Sequence, residues 1–422
     1  MKIIRFVLFL ILLAFLAEAF RIRLLFILDY ALIALMIFAF GWAKLSLRFL
    51  EMTRHGNGER SQVGETYEEL ITLRNTGILP KLWLEIRDES ELPNHRVNCI
   101  QNLMPLGQVQ WRARTVCLLR GKFRLGPMTV YAGDPFGLFR FKRRFEASHS
   151  LTIYPAAFDI AHFKNLTGML PGGNTASQPT LHATPNINGL RDYRPGDGLN
   201  RIHWASSARQ RKLIVKEFDF DPLMDVEIFL DMNATNHWVL NHEGGQGVAA
   251  ALPASSGVRS LDSTEEYAVT AAATLAKHFL NSGRTVGMIA WGQHHEIVAP
   301  DRGERQLMKI LEALAVIRAQ GITDFGQLIS AEVPRLNTSD TVIIITPATN
   351  ERWVAVLPLL LRKRVKVSVA LIEPATFGAS ESSLLVVSAL AAMNIQTQLL
   401  KRGDDLSQAL DSEMARIAAH LM

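Results

Sequence analysis

The chain has 422 residues, 48% of them hydrophobic, and a formal charge of +5. That length suits two or three domains with sizeable cores, and a positive mean hydropathy of +0.12 points to a part that lies in lipid. The charge suits a protein facing anionic lipid, but no interleaved aromatic and basic stripe indicates a nucleic-acid partner, and no Cys/His spacing matches a zinc site.

The lipid-compatible part comes first. Residues 3–20 are almost wholly apolar, with Arg5 and Glu18 near the ends, and a second run at 24–43 is interrupted by Asp29 and closed by Lys44. Each is close to the roughly 20 residues that a helix needs to cross hydrocarbon, so residues 1–45 are expected to form a transmembrane helical hairpin. Ala17-Glu18-Ala19 offers a signal-peptide cleavage site, yet a second apolar run follows it rather than a polar mature start. The short link Arg21-Ile22-Arg23 puts both ends on one side. Lys2, Arg5, Lys44, Arg48, Arg54 and Arg60 outnumber the arginines of the turn, which favours a two-pass topology with a cytoplasmic body. A re-entrant or interfacial hairpin is the alternative, because Asp29 and the paired arginines are costly in lipid.

Residues 60–155 alternate apolar and polar positions in short runs, at 69–75, 82–87, 110–119, 128–132 and 151–154, separated by turn segments such as Asn75-Thr76-Gly77. Period-two runs at this spacing predict a small antiparallel β-sandwich. Cys99 and Cys117 lie in neighbouring strand-like segments; in a reducing compartment they are free thiols. A cluster of Arg140, Lys142, Arg143 and Arg144 follows Asp134-Pro-Phe-Gly-Leu-Phe139, either as a solvated strand and turn or as a contact to anionic lipid. Residues 156–188, rich in Gly, Pro, Thr and Asn, read as a connecting loop.

Residues 189–219 pack seven Arg/Lys, four acids, a Tyr and a Trp into 31 positions. Pro195-Gly196 and Gly198 break any helix, so the segment is expected to be part turn and part extended, with 213–218 a strand. Arg191, Asp192, Tyr193, Arg194, Asp197, Arg201, His203, Trp204, Ser206, Arg209 and Lys216 are its candidate partner or interdomain contacts, with salt bridges clamping two domains together. No catalytic motif matches, and a hydrolase built on His203 and Ser206 lacks a visible carboxylate to orient the histidine.

From residue 224 to 422 strand and helix alternate. Strands at 225–231, 285–291, 341–346 and 365–371 are separated by helices at 264–280, 303–319, 352–361 and 380–393, with a last helix at 405–420. This order predicts an α/β domain with a mostly parallel sheet, whose binding loops lie at the carboxyl ends of the strands. Asp231-Met-Asn-Ala-Thr235 sits at such an end, and residues 241–263, with four Gly and many Ala and Ser, read as a flexible insertion on the same rim.

The 189–219 segment, and the 134–139 segment before it, resemble the signature of the domain of unknown function 58 (DUF 58) proteins, which are bacterial and archaeal and membrane-associated. The resemblance implies a C-terminal domain similar to von Willebrand factor A domains, whose Asp-x-Ser-x-Ser motif holds a divalent ion, often Mg²⁺, through oxygen ligands. Asp231 matches, Thr235 keeps a hydroxyl, Asn233 replaces the first serine, and Thr323 falls where such domains supply a threonine ligand. The acid expected after the next strand is absent, since Thr346 is followed by Pro347 and Ala348. The resemblance also implies work beside a MoxR-type AAA ATPase at a bacterial inner membrane. Two functions from different classes stand: a membrane-anchored, non-enzymatic adaptor in assembly or chaperone-like work, or an enzyme using His203 and Ser206 or a metal at Asp231.

Overall fold

A computed structural model describes residues 2–95, 97–160, 187–193, 202–218, 225–240, 246–248, 262–338 and 340–411. Two apolar helices open the chain, α1 (Lys2–Phe20) and α2 (Arg23–Ser46), joined through Arg21 in a left-handed conformation at φ 52°. Both are long and apolar enough to cross a membrane. They pack on each other, and Ala17, Ala39 and Ala43 are fully buried small residues of the kind that let helix backbones approach closely. Asp29 is buried too, and its Oδ1 has no hydrogen-bond partner among the described residues.

Ten strands follow: β1 (Leu50–Gly56), β2 (Arg60–Gln62), β3 (Thr66–Asn75), β4 (Lys81–Asp88), β5 (Cys99–Leu103), β6 (Gln108–Val116), β7 (Gly121–Leu125), β8 (Met128–Gly133), β9 (Arg140–Phe145) and β10 (His149–Tyr154). The antiparallel sheets β1-β3-β6 and β5-β4-β8-β9 enclose one core, with Met52, Ile71 and Leu73 from the first meeting Leu84, Ile86, Met128 and Val130 from the second. Their alternation places every second residue inside, as in Tyr67, Glu69, Ile71 and Leu73 of β3. A third sheet, β2-β10-β7, departs from the antiparallel expectation because β2 runs parallel to β10. The β-region also starts earlier than residue 60, at Leu50. Cys99 is half-buried and Cys117 buried, and both are free thiols.

The β-region is fastened to the end of α2. Lys81 is buried and donates from Nζ to the Leu45 carbonyl at 2.6 Å, and burial lowers its pKa. Arg143 donates to the Leu47 carbonyl at 3.1 Å. Cations at a helix C-terminus satisfy carbonyls that have no partner within the helix and complement its dipole.

The arginine-rich segment contributes β11 (Ile187–Asp192), α3 (Trp204–Gln210) and β12 (Ile214–Phe218), with β11 antiparallel to β12. The helix corrects the expectation of turns and extended chain only. Gly196 and Gly198 precede it, while His203 caps its start and Arg211, at φ 53°, ends it.

The remaining elements are β13 (Val226–Leu230), β14 (Trp238–Leu240), β15 (Gln246–Val248), α4 (Thr264–Asn281), β16 (Val286–Trp291), β17 (His295–Asp301), α5 (Glu304–Val316), α6 (Phe325–Glu332), β18 (Thr341–Thr346), α7 (Leu357–Arg362), β19 (Lys366–Ile372), α8 (Leu384–Ala392), β20 (Gln396–Leu400) and α9 (Leu406–Asp411). Six strands form one sheet in the order β17-β16-β13-β18-β19-β20, parallel except for the edge hairpin strand β17. Neighbouring side chains of one strand serve opposite faces: Ile228 and Leu230 join the core under α4 and α5, and Phe229 joins the core under α6, α7 and α8. The sequence reading had not anticipated β17, α6 and β20. Within the expected insertion, residues 246–248 pair with β14, while 241–245 and 249–261 lie outside the described residues.

The two halves meet at Arg120, whose side chain is fully buried. Its Nε donates to Glu266 at 3.1 Å, one terminal nitrogen donates to the Leu314 and Ile317 carbonyls at 2.9 and 2.7 Å, and the other pairs with Glu265. Arg318 returns the contact by donating to the Arg120 carbonyl at 2.9 Å. Burial pushes the Glu265 carboxyl up, but Arg120, His237 and Arg318 outweigh it and hold the pKa below the ordinary value. At the rim Arg60 pairs with Glu312 at 2.9 Å.

The central strand also carries a buried acid, Glu227, whose Oε2 has no partner among the described residues. Burial, then Asp340 and Asp225, push its pKa up to about 8. The folded chain therefore keeps a proton that the unfolded chain releases from about pH 4.5, and stability falls as pH rises from there to about 8. Glu227→Gln has no charge to bury. It is predicted to flatten that fall and to unfold later at pH 8 by on the order of a few kcal/mol in denaturant titrations; an unchanged pH slope would mean that Glu227 ionises freely in the fold.

Candidate functional site

The buried strand β13 delivers Asp231 to the carboxyl end of the sheet. Its Oδ1 accepts from the Asn233 backbone N–H at 3.0 Å, and its Oδ2 accepts from the Asn236 amide at 2.9 Å and the Thr346 hydroxyl at 2.6 Å. The Asp231 carbonyl lies 2.8 Å from His237 Nε2 and can only accept, so that nitrogen carries the proton. Asn233 is spent in the same way. Its amide oxygen accepts from the Thr235 N–H and hydroxyl at 2.9 and 2.7 Å, and its amide nitrogen donates to the Thr323 carbonyl at 2.8 Å. The structure thus brings Asp231, Asn233, Thr235 and Thr323 together, the last through its backbone.

Whether this set suits a divalent ion follows from the acceptors. The Asp231 carboxylate accepts three hydrogen bonds and the Asn233 amide oxygen two, all supplied by the fold, which leaves one lone-pair position, on Asp231 Oδ1, to offer an ion. Mg²⁺ asks for a near-octahedral oxygen shell with several waters, and this closed arrangement does not fit one. Burial raises the Asp231 pKa against the lowering effect of nearby His237 and of the hydrogen bonds from Thr346, Asn233 and Asn236. Thr346, Asn236 and His237 complete the network without having been singled out in the sequence. Thr346 stands where an acid was missed and supplies a hydroxyl donor instead.

A second cluster has the composition of a metal site. Glu69, Asp88 and His95 offer ligand atoms within 4.8 Å of one another. The Arg54 guanidinium fills the place between them, bonding Glu69 at 2.6 and 2.8 Å, Asp88 at 2.9 and 3.1 Å, and lying 3.0 Å from His95 Nε2. Burial pulls the His95 pKa down, but Asp88 and Glu69 outweigh it and hold it above the ordinary value. This is a buried ion network inside the β-region, with its cation built in.

The arginine-rich segment shows no catalytic arrangement among its described residues. His203 Nδ1 accepts from the Ser206 backbone N–H at 3.1 Å, so this nitrogen caps α3 and is not available as a base toward the Ser206 hydroxyl. Asp192 pairs with Lys212 at 2.9 Å, a bridge inside the segment. Tyr193 is half-buried and its N–H donates to Leu213, while Trp204 and Arg209 are exposed on α3. Arg194, Asp197 and Arg201 lie outside the described residues; Arg191 and Lys216 are placed only as backbone of β11 and β12. The described ion pairs between the β-region and the α/β domain are made by Arg120 and Arg60 instead.

Next to the Asp231 network the rim carries an exposed apolar point. Ile322 is 95% exposed, between Gly321 and Thr323. Its loop is bolted down: Gly321 N–H donates to the Met232 carbonyl and Ala234 N–H to the Gly321 carbonyl, each at 2.9 Å. A Cβ at Gly321 would lie 2.2 Å from the Trp291 carbonyl, so no other residue fits there without a shift. At the same end of the sheet Leu384 and Leu385 open α8 and are exposed.

Residues 189–376 match the family described as protein of unknown function DUF58. The uncharacterized protein YeaD of Bacillus subtilis (strain 168) is 22% identical over 335 residues, covering 76% of each chain. Among solved structures, the CARDB domain of the PF1109 protein from Pyrococcus furiosus aligns with 25% of this chain and 91% of its own at 12% identity and a TM-score of 0.19. The PapD-like domain 7 of human CEP192 aligns with 25% of this chain and 84% of its own at 14% identity and a TM-score of 0.17.

Proposed function

We propose that the chain, whose residues 189–376 match the DUF58 family, is a membrane-anchored, non-enzymatic interaction protein whose C-terminal domain is a von Willebrand factor A-like docking module. The observation that carries this is Ile322, an apolar side chain almost fully exposed on a rim loop that Met232, Asn233 and Ala234, next to Asp231, hold in place. A preorganised apolar anchor loses little entropy on binding and suits the centre of a protein interface. Leu384 and Leu385 extend the same rim. In this reading the Asp-x-Asn-x-Thr motif serves as a scaffold that positions the docking loop, with hydrogen bonds where relatives of the fold use an ion.

The proposed partner is a cytosolic MoxR-type AAA ATPase, and the proposed work is assembly or chaperone-like at the bacterial inner membrane. Lys44 and Arg48 at the end of α2, with Lys2 and Arg5 at the start of α1, favour a cytoplasmic body.

Affinity purification of the full chain from native membranes after mild crosslinking is expected to recover an AAA ATPase. Ile322→Asp should reduce that recovery at least about tenfold, the loss of one hot-spot contact of roughly 1.4 kcal/mol or more, without moving the thermal unfolding midpoint. Equal recovery by Ile322→Asp would remove the rim from the account. A reporter fused after Met422 is expected to be active in the cytoplasm; activity only outside it would exclude a cytosolic partner.

A further inference from the structure

The segment Asp134-Pro-Phe-Gly-Leu-Phe139 joins β8 to β9 and has no part in the docking reading. Its position is set by aromatic contacts with α2. The rings of Phe139 and Phe141 meet the Phe40 ring edge-on, with centroids 5.4 and 5.6 Å apart. Phe40 lies six residues before the end of α2 at Ser46, about 9 Å back along the helix axis at ~1.5 Å per residue. It also precedes Lys44, the first cation after the apolar run, whose ammonium sits over the same ring at 5.9 Å. If α2 spans a bilayer, the segment stands at the edge of the hydrocarbon.

Its backbone suits that depth. Pro135 has no N–H. The N–H groups of Phe136, Leu138 and Phe139 all donate to the Asp134 carboxylate, and that of Gly137 donates to the Asp134 carbonyl. Every N–H donor from 135 to 139 is thus satisfied inside the loop, so none of them needs water at the membrane interface. The Asp134 carboxylate is buried beneath them, while Phe136 points outward, 53% exposed.

A second apolar patch is tied to the chain where it leaves α2. Thr76 N–H donates to the Phe49 carbonyl at 2.8 Å and Leu106 N–H to the Gly77 carbonyl at 3.1 Å, so two loops of the β-region converge on Phe49. They expose Ile78 at 81% and Leu106 at 68%. Behind both patches the edge strand β9 carries the exposed cations Arg140, Lys142, Arg143 and Arg144.

We propose that the Asp134–Phe139 loop, with Phe49, Ile78 and Leu106, is a membrane-inserted collar that seats the β-region in the leaflet through which α2 exits, with the β9 cations on anionic headgroups. This rests on the reading that the hairpin spans the membrane. Lys142 gains most from an anionic surface, since Arg140 and Arg144 also pair with Glu85, Glu89 and Glu146 and Arg143 donates to the Leu47 carbonyl, and the apolar tips add burial in the acyl edge. The collar adds a membrane contact to the Lys81 and Arg143 fastening, so that the height and tilt of the β-region are set by the leaflet as well as by α2.

The test places a nitroxide on Phe136→Cys in a Cys99→Ser, Cys117→Ser background, using the full chain in phosphatidylethanolamine/phosphatidylglycerol vesicles. Collisions with oxygen, which concentrates in lipid, are compared with collisions with a water-soluble nickel chelate. Labels at Ile37→Cys in α2 and Arg302→Cys on the α/β domain give the lipid and water references. The expected result is that position 136 follows 37, favouring oxygen several-fold relative to 302. If 136 follows 302 while 37 stays in lipid, the collar is wrong and the hairpin stands; if 37 also follows 302, both fall. Protection of 136 from both reagents would mean that protein covers the loop, which also overturns the proposal. Should the cysteine-free chain misfold, Phe136→Trp in the native chain replaces it: bromine-labelled lipid should quench the added fluorescence, and no added quenching contradicts the collar.

Discussion

A buried guanidinium sits at the centre of the contacts that join the two halves of this protein, beside the Arg60–Glu312 pair and the packing of Tyr154 and Ile160 into the α/β core. Arg120 leaves the β-region between β6 and β7 and ends among the first turn of α4 and the last carbonyls of α5. It has no contact with water, so its charge must be answered by Glu265 and Glu266, and its remaining donors by the Leu314 and Ile317 carbonyls. Replacing a buried ion pair entirely is often harmless, whereas removing one partner costs about 3–5 kcal/mol because the other charge stays buried. Neither half can therefore shift against the other without exposing or orphaning this charge. Through Lys81 and Arg143 the β-region is in turn fixed to the end of α2, so one path of buried contacts runs from the apolar helices to the rim that bears Ile322.

The features legible in the sequence are those that a local pattern encodes. The apolar hairpin, the period-two strands of the β-region and the strand–helix alternation after residue 224 each repeat over a window long enough to read. Some short strands, such as β17 and β20, were not legible. Arg140-Phe-Lys-Arg-Arg-Phe145, one reading of which is a solvated strand and turn, is an edge strand whose cations are exposed. Helix α3 was hidden by the glycines just before it, although Trp204-Ala-Ser-Ser-Ala-Arg-Gln210 has helix-compatible composition and His203 supplies its cap.

The candidate site was half legible for a similar reason. Asp231, Asn233 and Thr235 are close in sequence and carry their motif with them. Thr346 is 115 residues away and is recognisable as a partner only once β13 and β18 are known to be neighbours. The arginine-rich segment teaches the converse. Its density of charge suggested a strap between domains, yet the described clamp belongs to Arg120, a lone arginine in an unremarked turn whose role depends entirely on tertiary contact.

The claim that one charge makes the two halves a single body is tested most directly by a distance between them. Spin labels at Arg112→Cys on the β-region and Arg302→Cys on the α/β domain, in the cysteine-free full-length chain, report that distance by pulsed electron resonance. The account predicts one narrow distribution in the parent chain and a broad one in Arg120→Met, with the secondary structure of both halves retained. A parent distribution that is already broad, or one that Arg120→Met leaves unchanged, would contradict it.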